Sequence, residues 1–129
     1  MGIRCKVEVH PEHVLLSCSG TYTLDEALRV YALAFEEAVK AGRLAVLVDV
    51  REVTGREPSL TERYDQGIKV AELQLRYIPR IRFALLGREP LIHPERFGEI
   101  VAIHRGAQAR VFTDLEAARE WLLPRPKPR

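Results

Sequence analysis

A chain of 129 residues, 47% apolar and 29% charged, is long enough to bury a core without metals or cross-links, and its balance excludes a disordered class. The formal charge of +2 is too small to leave the basic stripe that marks nucleic-acid binding, so no nucleic-acid partner is expected. The start "MGIRCKVEVH" lacks the apolar centre of a signal peptide and no apolar run reaches spanning length, so a cytoplasmic protein without a membrane span is expected.

The first segment alternates, with Cys5, Val7 and Val9 on one side and Arg4, Lys6, Glu8 and His10 on the other, which predicts a strand with one buried face. "HPEH" reads as a tight turn and "VLLSCS" as the returning strand. With Pro11 and Glu12 as turn residues, Val9 faces Val14, Val7 faces Leu16 and Cys5 faces Cys18, a match that a one-residue slip would destroy. In a reducing cytoplasm the two cysteines read as small apolar side chains, although a hairpin would let them pair.

After Gly20 the period changes to that of a helix. Leu24, Ala27, Leu28, Tyr31, Phe35, Ala38 and Val39 form one face, Thr23 with Glu26 makes a capping box, and Gly42 suits the left-handed residue beyond the end. "LAVLV", residues 44–48, is an uninterrupted apolar run, as expected of a parallel strand covered on both faces, and it ends on Asp49. A charged loop, 49–58, leads to a second helix over Leu60 to Tyr77, with Leu60, Tyr64, Ile68, Ala71 and Leu75 as its inner face and Pro79 as its stop. "RFALL" is the fourth strand. Pro94 opens a third helix with Phe97, Ile100, Val101 and His104 inward, and "ARVF" is the fifth strand. "TDLEAAREWL" is a last helix capped by Thr113 with Glu116, in which Trp121 packs beside Leu122. The domain is expected to span 1–123, and the basic tail 124–129 to be disordered. The order ββαβαβαβα predicts an α/β fold: a mixed, mostly parallel five-stranded sheet, an antiparallel edge and four helices.

In such sheets ligands gather beyond the carboxyl ends of the strands. Here that rim holds the candidate binding or regulatory residues Asp49, Arg51, Thr54, Arg56, Ser59, Thr61 and Arg88. A helix start with arginines around it suits an anionic group. The same residues also read as Ser59 and Glu62 closing a capping box, with solvated arginines, and capping is the commoner use of a serine there. Glycine-rich phosphate loops and nucleophile elbows are absent from the sequence. His10, Glu12 and His13 lack a fourth ligand and a second shell, so no metal or cofactor is expected. His104 reads as a core histidine and the paired carboxylates as solvated charges, so catalysis is the weaker class.

Four stretches, "VLLSCSGTYTLDEALRVY", "LAVLVDVREVTG", "ERFGEIVAIHRG" and "ARVFTDLEAAREWL", are spread over residues 14–122. In their order and spacing they resemble a STAS-type domain of the SpoIIAA-like proteins, which include bacterial anti-sigma-factor antagonists, and most of all the small bacterial STAS/SEC14-like group. In the antagonist branch an acid ends the third strand, and a second acid, two serines and a glycine open the next helix. One of those serines is phosphorylated by a partner kinase. Aligned from Asp49, this chain has Val53 at the apolar position, Glu57 at the second acid, Pro58 and Ser59 at the serines and Leu60 at the glycine. The resemblance implies a non-enzymatic regulatory module with a protein partner, an anti-sigma-type regulator among the kinds implied, and Ser59 as the surviving phosphate acceptor. The STAS/SEC14 label leaves a small anionic or apolar ligand, a lipid or a nucleotide, as the alternative. The opening hairpin leaves an edge strand through which a homodimer could form.

Overall fold

The computed structural model describes residues 2–77, 80–93 and 95–123, so the expectations placed on Pro79, Pro94 and the tail fall outside the described residues. Strands β1 (Ile3–Val9), β2 (Val14–Thr21), β3 (Ala45–Thr54), β4 (Arg82–Leu86) and β5 (Ala109–Phe112) lie side by side in chain order, with β1 antiparallel and the rest parallel. Helices α1 (Leu24–Ala41), α2 (Leu60–Arg76) and α3 (Phe97–His104) make the crossovers, and α4 (Leu115–Leu122) follows β5. This is the predicted ββαβαβαβα order.

The distribution of helices follows from handedness. Each parallel step goes to the next strand in the same direction, so right-handed crossovers put α1, α2 and α3 on one face. Only α4, which crosses nothing, is left for the other. Two cores result. Phe35, Phe83, Leu16, Val46, Val48 and Leu73 lie in the large layer under the three helices. Ala45, Leu47, Ala84, Leu86, Ala118 and Leu122 make the small layer under α4, where Trp121 packs with Phe112 and Arg82 lies over its ring at 4.5 Å. Phe35 is stacked on both Phe83 and Tyr77, with ring centroids 5.5 and 6.0 Å apart.

The hairpin register is the predicted one: Val9 against Val14, Val7 against Leu16, Cys5 against Cys18. Thr23 caps α1 through Glu26 N, and Gly42 takes the left-handed conformation at its end (φ 69°). Four expectations are corrected. β3 does not stop at Asp49 but continues to Thr54, because β2 is long enough to keep pairing with it, Thr21 opposite Thr54. The register shifts on the way, from Ser17 opposite Asp49 to Ser19 opposite Glu52. One extra residue in β3 reverses the in–out alternation, so Val53 rejoins the large core that Val46, Val48 and Val50 serve. α3 begins at Phe97, after Arg96 in a left-handed conformation, and buries Ala102 while Ile100, Ile103 and His104 are exposed. Asp114, not Thr113, caps α4, accepting from Ala117 N at 2.9 Å.

The fourth correction matters most. α2 buries Arg63, Gly67, Val70, Ala71, Leu73 and Gln74, whereas Leu60, Tyr64 and Leu75 of the predicted inner face are 59%, 41% and 73% exposed. The helix is rotated by roughly one residue, about 100°. Gly67 explains the rotation: a Cβ there would sit 2.7 Å from the Gly98 carbonyl and 2.8 Å from Val101 Cβ, so this is where α3 crosses. Both sheet edges are also partly occupied. Ile3 N donates to Glu26 Oε1 at 2.8 Å and its carbonyl accepts from Arg29, while Val111 N donates to Glu99 Oε1 at 2.8 Å. Side chains of α1 and α3 thus take up strand groups that a second chain would need.

Candidate functional site

The carboxyl ends of β2 to β5 converge on one rim, formed by residues 22–23, 55–59, 87–93 and 113–114 together with the start of β1. Tyr22 N donates to the Thr54 carbonyl at 2.7 Å, tying the ends of β2 and β3 together. Beneath it runs a half-buried polar chain, Tyr31 hydroxyl to Gln66 Oε1 at 2.6 Å and Gln66 Nε2 to the Tyr22 hydroxyl at 3.1 Å. Burial, with neighbouring charges, holds the Tyr31 phenol above its ordinary range, so that hydroxyl is a permanent donor.

Ser59 is the N-cap of α2. Its hydroxyl accepts from Glu62 N at 3.1 Å, and Glu62 Oε1 accepts from Ser59 N at 2.9 Å, the reciprocal capping box expected from the spacing. Arg56 reaches the same carboxylate with both nitrogens, at 2.6 and 2.5 Å, and lies over the Tyr22 ring at 5.5 Å. First the Arg56 guanidinium and then the Ser59 backbone N–H hold Glu62 down to about 2 from an ordinary 4.5. A depressed carboxyl contributes its stability above its unfolded value and loses it as pH falls through the folded one. We therefore expect stability to fall between about pH 4.5 and about pH 2, and Glu62→Gln to flatten that limb. The effect is small, because the pair is exposed and screened. Denaturant midpoints of the two proteins across that interval check it.

The seven candidate residues do not form one cluster. Ser59, Arg56, Thr61 and Thr54 stand at the end of β3 and the start of α2, all exposed. Asp49 and Arg51 share a face with Ala45 and Leu47 by strand alternation, the face that α4 covers, so the sheet separates them from Ser59. Arg51 forks onto Asp49 at 3.0 and 2.8 Å and also donates its backbone N–H. Burial would raise the Asp49 carboxyl, but the Arg51 side chain and N–H, with the Arg88 charge, hold it below its usual range. Arg51 and Arg56 are thus each engaged by a carboxylate of this chain, and Arg88 is exposed on the loop after β4.

A residue not foreseen from sequence completes the rim. Arg63, one turn into α2 and 5% exposed, donates to the carbonyls of Leu91 (2.9 Å) and Pro90 (2.7 Å) and lies 3.6 Å from Glu57. It fastens the loop after β4 to the start of α2. Beside it Glu57, Pro58, Ser59, Leu60 and His93 line an open hollow of about 420 Å³. The signal available in the sequence was the stripe Arg63, Gly67, Val70, Gln74, whose mid-helix glycine marks a close approach. Between α2, α3 and the sheet lies a second space of about 60 Å³, lined by Tyr31, Gly67, Val70, Phe83 and Ala102. Sites for drug-sized ligands run to roughly 300–1,000 Å³, so this one has no room for an acyl chain. Among the described residues no cluster of three metal-ligating side chains occurs, and no helix is long and apolar enough to cross a membrane.

No protein-family model and no curated protein sequence matches the chain. Solved structures do. An anti-sigma factor antagonist from Mycobacterium paratuberculosis superposes with a TM-score of 0.59 at 16% identity, over 94% of each chain. The anti-sigma factor antagonist SpoIIAA in its unphosphorylated form gives 0.50 at 12%, over 91% of this chain and 95% of that one. An uncharacterised protein from Shewanella loihica, described as having a SpoIIAA-like fold, gives 0.49 at 20% over 94% and 93%. Superposed on two antagonists over 94% and 91% of its length, and built of four parallel strands, an antiparallel edge strand and four helices, this chain has the SpoIIAA-like fold.

Proposed function

We propose that the protein is a non-enzymatic regulatory module that binds another protein through the rim at the start of α2, with phosphorylation of Ser59 as its control. The observation that carries this reading is the exposure of Leu60 beside the exposed cap Ser59, at the mouth of the hollow that Glu57, Arg63 and His93 share, with Tyr64 exposed one turn further along α2, where its hydroxyl accepts from Arg105 at 2.9 Å. An apolar helix stripe that the fold leaves in water is what a partner's surface would cover. The antagonists whose fold it shares are regulators by their names, and the partner is expected to be of the anti-sigma type.

The electrostatics give phosphorylation something to act on. Ser59 already bonds to Glu62, and Glu62 to Arg56. A dianionic group on Ser59 Oγ would meet the positive end of α2 but would repel Glu62 and compete for Arg56. The charge pattern at the rim therefore changes sign locally without unfolding the helix.

The test is capture from an extract of the native cell by the immobilised protein, followed by competition with variants. Wild type should retain a protein that Leu60→Asp and Tyr64→Asp each release at least about tenfold more readily, since interface anchors carry most of the affinity. Ser59→Asp, which still caps the helix, should change that retention while leaving the denaturation midpoint in place. Retention that ignores all three variants would place the interface elsewhere and sink the reading.

A further inference from the structure

β1 and β2 bring Cys5 and Cys18 face to face, 13 positions apart in the chain. Counting back from the pair that closes the turn, His10 N to His13 O at 2.8 Å, Cys5 and Cys18 fall at a non-hydrogen-bonded position. There the Cα atoms of opposed residues are nearest, about 4.5 Å, inside the span a disulfide accepts. The sulfurs are 3.0 Å apart. Cys5 is half-buried, so a small solute can reach it, and Cys18 is buried behind it. The hydrogen bond from Cys18, with the charge of Arg29, holds the Cys5 thiol below its ordinary range despite burial, while the same bond and burial push Cys18 up. One sulfur is thus set to react and the other to resolve.

We propose that Cys5 and Cys18 are a modification site, at which a hydroperoxide forms a reversible disulfide that fastens β1 to β2. In the first step the Cys5 thiolate attacks one peroxide oxygen, the O–O bond breaks, and the departing hydroxide takes a proton to leave as water (or as the alcohol of an organic hydroperoxide). Cys5 is then a sulfenic acid. In the second step the Cys18 sulfur attacks the Cys5 sulfur, the S–O bond breaks, and the Cys18 proton leaves with the hydroxide as a second water. Two thiols have lost two electrons and the peroxide has gained them. Thiol reductants reverse the change by exchange. The backbone need not move, because the register already opposes the two residues.

The site is distinct from the rim of α2 and independent of any partner. The disulfide would staple the edge strand to the sheet and close the hairpin loop in the unfolded chain, which stabilises the native state. The full chain treated with hydrogen peroxide, denatured and labelled with a maleimide is expected to take no label, to lose the mass of two hydrogens as a monomer, and to unfold about 10 °C higher. Dithiothreitol should restore both labels and the original Tm. Cys18→Ser should instead give a sulfenic acid on Cys5, trapped by dimedone, which separates the order of steps from any effect on folding. Two labels remaining after peroxide, a linked dimer, a sulfinic acid on Cys5 in the wild type, or an unchanged or lowered Tm would each overturn the proposal.

Discussion

Gly67→Val is expected to destabilise the protein by about 3 kcal/mol, as overpacking between fixed elements does. The reason is distance. An added Cβ would approach a backbone oxygen, Gly98 O, at 2.7 Å and the branched Val101 side chain at 2.8 Å, so the helices themselves must separate. Gly67→Ala should cost less, about 1–2 kcal/mol net, because alanine recovers up to about 1 kcal/mol of helix propensity that glycine forgoes. The sign is diagnostic. At an ordinary exposed helix position glycine to alanine stabilises, so a higher denaturant midpoint for Gly67→Ala would show that α3 yields freely and that the crossing does not fix the rotation of α2. The expected result also predicts a loss of protection from hydrogen exchange in α2 and α3, since both helices move.

Arg63→Met comes next, with an expected loss of about 2–3 kcal/mol. Methionine keeps most of the apolar stem but removes the charged donors to the Pro90 and Leu91 carbonyls, and hydrogen bonds from charged groups contribute about 1.5–3 kcal/mol. Glu57→Gln is the comparison. Glu57 is 64% exposed where it meets Arg63, so its removal should cost no more than about 0.5 kcal/mol. The pair of results separates two roles. If the carbonyl bonds carry the effect, Arg63→Met alone loosens residues 87–93, seen as faster amide exchange there with β2 and β3 unchanged. If Glu57→Gln costs as much as Arg63→Met, the ion pair is the working contact. Arg63→Lys should resemble Arg63→Met, because one ammonium cannot reproduce the fork that meets two carbonyls.

Legibility from sequence varied by element for identifiable reasons. The hairpin register followed from three opposed apolar pairs, because alternation with period 2 makes a slipped register bury charge. The capping box of α2 was legible because Ser59 and Glu62 act within one turn. The extension of β3 was not, since "DVREVT" reads as a charged loop until β2 lies beside it and the bulge realigns Val53. Among the candidate residues, proximity along the chain placed Asp49 and Arg51 with Ser59, and strand alternation parted them. For α2 two stripes competed. Leu60, Tyr64, Ile68 and Leu75 have the greater hydrophobicity, but Arg63, Gly67, Val70 and Gln74 face the core.

Read alone, the amino-acid order determined the number, type and sequence of elements, because these depend on periodicity. That every parallel step runs the same way across the sheet, so that right-handed crossovers leave α1, α2 and α3 on one face, came only with the fold. The tertiary structure alone decided which side of α2 and α3 meets water. That choice rests on how closely two helix backbones approach at Gly67 and Gly98 and on whether a buried guanidinium finds carbonyl partners in a loop 27 and 28 residues away. Neither quantity is a property of a residue or of its neighbours in the chain, and the apolar surface offered at the rim is its consequence.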